Sequence, residues 1–337
     1  MKVLFDHPNP FLLAHGGFQI QIEQTKKALE EIGVEVECLR WWDNSQTGDL
    51  IHYFGVPPLT YLKQANTKNL PVVLTQLLSA QCNRSQAHLK LQGIVTRIIQ
   101  KLPGFGSIRN QLKWQSISAA SKVIVGLEAE RNVLKTVLNL PDDRIATIPL
   151  AISSEFFRIH PARCTQNHLI TTGTISEVKR SVELAQMARA AGVPILFVGK
   201  PYSETDPYWM QFKSLIDGKT IMHQSHIESK ERLIELLCES RGYVLYSKYE
   251  NWSLSTHEAV ACGLPICVQD QNWSRERFGK QAFYLNASSS NRENIQRLKD
   301  FYVTSHALHA PSVKLCTWTD TAAELKAVYE KVLSISL

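Results

Sequence analysis

The residues from Gly242 to Val268 constrain the fold more than any other part of the chain. Their order predicts a strand, a loop, a short helix, a turn and a second strand. Residues 242–246 are apolar and β-rich, as in a buried parallel strand, and Ser253 or Ser255 can cap the helix that follows. Residues 262–265 should end that helix, because they place glycine after its last turn and proline soon afterwards. Open α/β sheets bind ligands at loops such as the one after residue 246, where a parallel strand ends. Residues 270–276, after the second strand, are also predicted to form a loop.

Two glutamates stand in this stretch, Glu250 in the loop and Glu258 on the predicted helix. The free N–H groups at the start of a helix favour an anion, such as a diphosphate, or sugar hydroxyl oxygens. Plainer interpretations are open as well: Ser255 and Glu258 have the spacing of a capping box, and Glu250 fits a solvated loop carboxylate. A glycosidase pair is a poor fit, because eight helical residues rise about 12 Å and glycosidase carboxyls lie about 5–9.5 Å apart.

Glu250, followed by Glu258-Ala259-Val260-Ala261-Cys262-Gly263-Leu264-Pro265, resembles the signature of the retaining, glycogen-synthase-like GT-B glycosyltransferases, glycosyltransferase family 4. The resemblance implies an α/β fold with two Rossmann-like domains facing across a cleft and a C-terminal helix crossing back to the first domain. It also implies transfer of a sugar from a nucleotide diphosphate sugar to a hydroxyl of a glycan or lipid-linked acceptor, with retention of configuration. Such a hexosyltransferase-like enzyme would serve surface polysaccharide or glycoconjugate synthesis.

The domain organisation follows from the remaining pattern. A strand at 2–5, a loop ending in Gly16-Gly17, a helix at 18–32 and a strand at 34–39 predict the start of a Rossmann-type domain. The dinucleotide fingerprint Gly-x-Gly-x-x-Gly is missing, so a nicotinamide enzyme gains little support. Together with this pattern, the resemblance implies an acceptor domain over 1–153 with the final helix 318–337, and a donor domain over 154–317.

The resemblance also implies roles for individual residues. Glu258 would hold the ribose hydroxyls, since a carboxylate accepts two hydrogen bonds from a diol. Lys179, with Arg180, would neutralise the leaving diphosphate, and Glu250 with backbone N–H groups of 251–254 would grip the donor sugar. Lys179 and Glu250 are the predicted catalytic residues, and no nucleophile is nominated. The predicted donor-binding residues are Gly16, Gly17, Gly173, Thr174, Lys179, Arg180, His226, Ile227, Glu250, Asn251, Trp252, Ser253, Leu254 and Glu258.

No cofactor is expected beyond the donor substrate, with UDP or GDP as its carrier, and no metal is expected because no Asp-x-Asp motif stands at a strand end. Three positions depart from the family pattern. Leu77 stands where members often have a histidine near the acceptor, Thr174 replaces a phosphate-binding arginine, and Leu150-Ala151 replaces Asn-Gly. Two alternatives are open: a sugar-nucleotide epimerase on the same fold, and a catalytically inactive binding subunit of another transferase, which the missing histidine and arginine allow.

Charge is distributed unevenly along the chain. The net charge is +6, yet no Asp or Glu occurs from residue 50 to residue 127. Within this window, 83–117 has a basic amphipathic helix pattern at 88–102, a predicted break at 103–106 and a second basic segment from 109. It fits either an ordinary surface helix pair or a peripheral contact with an anionic membrane. Nucleic acid is not an expected partner, because a known binding motif is missing.

The chain length and the amino-acid composition fit a globular protein of two domains. The 337 residues have 44% hydrophobic content and no uncharged apolar run long enough to cross a bilayer. The first residues, with Lys2 and Asp6, predict a strand rather than a signal peptide. Seven scattered cysteines predict reduced thiols. The expected location is cytoplasmic, with optional peripheral attachment to the inner face of the membrane.

Overall fold

The chain forms two compact units in the computed structural model, which describes residues 1–8, 10–11, 16–102, 114–158 and 165–336. The first unit consists of Met1–Ala151 and Cys316–Leu337, and the second consists of Ile152–Leu315. The acceptor and donor roles given to these units stay predictions.

The first unit contains a six-stranded parallel sheet in the order β2-β1-β3-β4-β5-β6. The strands are β1 (Lys2–Asp6), β2 (Glu35–Cys38), β3 (Leu50–Phe54), β4 (Val72–Thr75), β5 (Lys122–Val125) and β6 (Ile145–Thr147). The helices before the linker are α1 (Gly17–Glu31), α2 (Leu59–Thr67), α3 (Gln86–Lys101), α4 (Trp114–Ala119) and α5 (Glu128–Leu138). Two buried apolar clusters, one holding Val3 and Ile22 and the other Leu4 and Leu134, form its core.

The second unit repeats this architecture in the order β12-β11-β10-β7-β8-β9, again with parallel pairing. The strands are β7 (Leu169–Thr172), β8 (Ile195–Val198), β9 (Ile221–Gln224), β10 (Tyr243–Leu245), β11 (Ile266–Gln269) and β12 (Phe283–Leu285). The helices are α6 (Ser181–Ala191), α7 (Pro207–Lys213), α8 (Lys230–Glu239), α9 (Leu254–Ala261), α10 (Asn272–Phe278) and α11 (Asn291–Thr304). Its buried core includes Leu169, Phe197, Val244 and Phe301.

The last helix, α12 (Trp318–Ser336), belongs to the first unit. Ala322, Leu325 and Tyr329 on this helix join the buried cluster that contains Phe5 of β1. The Tyr329 hydroxyl also lies 2.6 Å from Nδ1 of the buried His52 on β3. The predicted fold class, two doubly wound α/β units with a final helix that returns to the first, is confirmed.

The predicted strands at 2–5, 34–39 and 242–246 agree with β1, β2 and β10 within one residue at each end. Residues 270–276, predicted as a loop, instead form most of α10. Gln271 and Ser274 cap its start reciprocally, while Trp273 and Phe278 are buried. The predicted helix at 88–102 corresponds to α3, but the predicted break at 103–106 and the basic segment up to 113 lie outside the described residues. No helix in the described part of the chain has the length and apolar character needed to cross a membrane.

Candidate functional site

The second-unit sheet has a point where the chain reverses its direction of strand addition. From β7 the chain continues to β8 and β9 on one side, and β10 to β12 lie on the other. The loops after β7 and β10 therefore leave the same sheet edge next to one another, on either side of this switch point. Open α/β sheets bind their ligands in the crevice at this position.

An ion pair joins these two loops. Lys179, in the loop after β7, donates from Nζ to Oε1 of Glu250, in the loop after β10. The side chains are only 28% and 12% exposed. Burial opposes the charge on Lys179, but the Glu250 carboxylate outweighs that effect and raises the pKa of the lysine. The Lys179 ammonium is thus fixed at the switch point.

The β10 loop enters α9 through an uncommon backbone conformation. Ser253 has φ of 53° and caps the helix, its hydroxyl accepting a hydrogen bond from Thr256 N–H. Ser255, the other predicted cap, accepts a 2.8 Å hydrogen bond from the hydroxyl of Tyr243. The helix ends at Ala261, and Gly263, with φ of 84°, lies just past its end, as predicted. Because the cap is Ser253, the capping-box interpretation of Ser255 and Glu258 is wrong.

Trp252 of this loop packs against His257 of α9 and Arg277 of α10. The imidazole of His257 lies parallel to Trp252 with ring centroids 4.5 Å apart, and the Arg277 guanidinium lies 4.3 Å from the Trp252 ring. His257 donates from Nδ1 to Ser253 O at 2.9 Å, so its Nε2 accepts from Arg277 Nε at 3.2 Å. Burial lowers the pKa of His257 to about 3, and the ring stays neutral. This positioning stack was not predicted from the sequence.

Glu258 lies on α9, half-buried. Among the residues that the structure describes, none donates a hydrogen bond to its carboxylate. Burial raises the pKa of Glu258 to about 7, against the opposing influence of the Lys230 charge. A ligand that donates hydroxyl groups would favour the ionised form, so this carboxylate suits a diol such as a ribose.

The loop after β7 contains the other predicted phosphate-binding residues. Gly173 is exposed with φ of 146°, and Thr174 shares a small pocket with Lys179. Arg180 begins α6 with φ of 51°, and its guanidinium lies 5.2 Å from the Tyr246 ring centroid. At Gly199, after β8, an added Cβ would overlap the Gly173 carbonyl oxygen. The close approach of the two backbones therefore requires glycine there.

The remaining predicted residues of the second unit are placed differently. Asn251 and Trp252 are largely buried, and Leu254 opens α9. His226 is exposed and Ile227 half-buried in the loop after β9, the edge strand, which is two strands from β7. No hydrogen bond within the described residues fixes the His226 side chain.

Gly16 and Gly17 lie in the first unit, where α1 begins. Gly16 has φ of 135°, a backbone conformation that favours glycine, and Gly17 is exposed. The loop that contains them follows β1, at the switch point between β1 and β3 of that sheet. Their predicted contact with a diphosphate stays a prediction.

A second pocket lies at the carboxyl ends of the first-unit strands, and Leu77 lines it. Buried His52 bridges the Tyr329 hydroxyl and Thr75 Oγ1, both at 2.6 Å, and burial lowers the pKa of His52 to about 3. Gln21 is 3% exposed, and its Oε1 has no hydrogen-bond partner among the residues that the structure describes. The pocket is therefore polar in part although Leu77 stands where the family often has histidine.

Over the described residues, no cluster of His, Cys, Asp and Glu side chains could hold a metal ion. No protein-family model matches the chain. Over 168 residues it is 24% identical to the O-antigen chain mannosyltransferase B of Escherichia coli, a match that covers 45% of this chain and 44% of that protein. The chain thus spans less than half the length of this curated relative.

Solved structures extend the likeness to the whole chain. The sucrose-phosphate synthase of Thermosynechococcus elongatus superposes with a TM-score of 0.68 at 14% identity, covering 99% of this chain and 100% of the other. HepE of Anabaena, solved in complex with UDP-glucose, has a TM-score of 0.62 at 14% identity, covering 99% of each chain. At such identities the likeness shows the fold alone: the chain has the GT-B fold, with two Rossmann-like units.

Proposed function

We propose that the chain is a retaining glycosyltransferase of family 4 that moves a sugar from a nucleotide diphosphate sugar to a hydroxyl of a glycan or lipid-linked acceptor. The observation that carries the proposal is the Lys179–Glu250 ion pair across the switch point of the second unit. Glu258, a half-buried carboxylate on the adjoining helix, complements it. The mannosyltransferase name of the Escherichia coli relative and the UDP-glucose bound by HepE support this assignment.

The proposed mechanism uses electrostatics and positioning. The Lys179 ammonium, held by Glu250, would stabilise the charge that develops on the leaving diphosphate. The small pocket bounded by Gly173 and Thr174 would admit phosphate oxygens beside it. Glu258 would accept hydrogen bonds from the ribose hydroxyls, and Glu250 with the N–H groups of 251–254 would hold the donor sugar. No protein nucleophile is invoked.

A surface on α3 supports a peripheral contact with an anionic membrane, which would bring the enzyme to a lipid-linked acceptor. Leu91, Ile94, Val95 and Ile98 are 59%, 49%, 45% and 51% exposed on this helix. The helix also carries Lys90, Arg97 and Lys101, so apolar insertion and charge attraction act together.

Vesicle flotation would test this contact. Wild-type protein should float with phosphatidylglycerol vesicles at low salt, whereas the Ile94→Asp/Ile98→Asp variant should stay in the soluble fraction. The Val303→Ala variant, changed at a 55% exposed site of α11, is the matched control. Equal recovery of wild type with phosphatidylcholine and phosphatidylglycerol vesicles would remove the membrane from the proposal.

Nucleotide binding is the first test of the function itself. Thermal denaturation would be followed with UDP, GDP, ADP, CMP and NAD, because a ligand at a hundredfold excess over its Kd adds about 2.7 kcal/mol of stability. We expect one nucleoside diphosphate to raise the Tm of wild type, and Lys179→Ala to lose most of that rise. No shift with any nucleoside diphosphate would refute the proposal.

A further inference from the structure

A turn after β2 presents two adjacent tryptophans to solvent. Trp41 and Trp42 are 76% and 85% exposed, and they occupy the central positions of a turn closed by a 3.1 Å hydrogen bond from Asp43 N to Arg40 O. Central positions of turns usually hold Gly, Pro, Asn, Asp or Ser. Two large aromatic side chains at this place need an explanation beyond the turn itself.

Side-chain hydrogen bonds within residues 37–46 hold this turn in place. Arg40 donates to Glu37 and to Asp43, both at 2.9 Å. Gln46 donates to Glu37 at 2.8 Å and accepts from Arg40 N at 2.8 Å. Ser45 donates from both N and Oγ to Asp43. The turn that carries the two indoles is therefore pre-organised, which lowers the entropy lost when a ligand binds.

The location agrees with a ligand site. Because β2 runs parallel to β1, the turn leaves the same sheet edge as the loop that contains Gly16. In open α/β sheets this is the edge where ligands bind. The turn belongs to the unit for which the sequence predicts acceptor binding.

The charges around the turn indicate the kind of ligand. Glu37 and Asp43 are balanced by Lys2 and Arg40, through ion pairs of 2.6 to 2.9 Å. The turn therefore has no net positive charge to attract anionic lipid or another polyanion, unlike α3. Exposed neutral polar side chains, Asn44 and Thr47, border it. Flat apolar faces beside neutral hydrogen-bonding groups match sugar rings, which carry C–H faces and hydroxyl edges.

We propose that Trp41 and Trp42 form a stacking platform for neutral sugar rings of the acceptor glycan. This inference rests on the proposed function, whose acceptor class it narrows to neutral glycans. The platform would fix acceptor position through ring contact, with Asn44 and Thr47 available to the hydroxyls. It takes no part in the chemical step.

Glycan binding by two double variants would test the platform. An array of neutral bacterial oligosaccharides would be probed with wild type, Trp41→Ala/Trp42→Ala and Trp41→Phe/Trp42→Phe, and the best-retained oligosaccharide titrated by calorimetry. The alanine variant should bind about tenfold more weakly or worse. The phenylalanine variant should stay within about threefold of wild type because it keeps a ring at each position. Val303→Ala serves as an exposed-residue control.

Several outcomes would overturn the inference. One is equal affinity of the alanine variant and wild type, and another is retention of no neutral oligosaccharide. A third is loss of vesicle flotation in the alanine variant without loss of glycan binding, which would make the pair a membrane anchor. A nucleoside diphosphate shift in wild type, measured on the same preparation, separates these outcomes from failure of the proposed function. Circular dichroism would establish that each variant is folded.

Discussion

Replacing Glu258 by glutamine should stabilise the protein above pH 5 and weaken its binding of a nucleoside diphosphate. Burial raises the pKa of this carboxyl from 4.5 to about 7. The folded chain therefore holds the proton more tightly than the unfolded chain between those two values. Wild type loses stability as pH rises through this window, and the neutral glutamine does not.

The magnitude follows from the same shift. Each pKa unit corresponds to about 1.4 kcal/mol, so the unfolding free energy of Glu258→Gln relative to wild type should grow by about 2.5 kcal/mol from pH 5 to pH 8. Neighbouring His257 titrates in both proteins, so its contribution cancels from the difference. Urea denaturation at the two pH values measures the quantity, with Glu235→Gln, a 58% exposed side chain of α8, as control.

Nucleotide affinity gives the second measurement. If the ionised carboxylate accepts the ribose hydroxyls, about a tenth of it is available at pH 6 and nine-tenths at pH 8. Affinity for the nucleoside diphosphate should therefore be about tenfold weaker at pH 6, and Glu258→Gln should lose that dependence. A 2′,3′-dideoxy nucleoside diphosphate should bind wild type and variant alike. A stability difference independent of pH, or equal pH dependence of binding in both proteins, would refute the reasoning.

Three further changes test other parts of the molecule. Gly199→Ala should destabilise the protein by about 2 kcal/mol or more in urea, since its Cβ overlaps the Gly173 oxygen; Gly218→Ala, at φ of 70° in open space, should cost only about 1 kcal/mol. His52 is held neutral with a pKa of about 3, below its unfolded value, so its contribution to the free energy of unfolding should fall by about 2 kcal/mol from pH 7.5 to pH 5. His52→Gln should lack that contribution, and an identical loss in both proteins would contradict it. Glu250→Gln should destabilise by about 2 kcal/mol in urea because it leaves the Lys179 ammonium without its carboxylate; unchanged stability would mean that the pair is dispensable.

Apolar strands, glycine turns and helices in the sequence indicated a Rossmann-type domain, and the resemblance to family 4 implied the two-domain fold. Strands buried on both faces are recognisable as short apolar runs, and Gly263 after α9 adopts the positive φ expected of a helix terminus. Residues 270–276 were predicted wrongly because the N-cap of α10 is Gln271, which is not one of the preferred N-cap residues.

The sequence nominated residues for the candidate site but not the contacts between them. Lys179 and Glu250 could be nominated separately, yet their pairing depends on the neighbouring positions of β7 and β10, which are distant in sequence. The stack of Trp252, His257 and Arg277 depends likewise on α10 folding over the loop. No local periodicity encodes such contacts. The exposure of Trp41 and Trp42 could not be predicted from the sequence either, since aromatic residues next to a strand usually indicate burial.

The return of α12 to the first unit has a consequence for biosynthesis. A ribosome makes β1 to β6 first, but the buried cluster of that unit lacks Ala322, Leu325 and Tyr329 until α12 has been synthesised. His52 meanwhile has no Tyr329 hydroxyl to bond. The second unit is continuous in sequence and can complete its core earlier. The core of the first unit can therefore be completed only after the last segment has been made, in contrast to the usual order in which the N-terminal domain folds first.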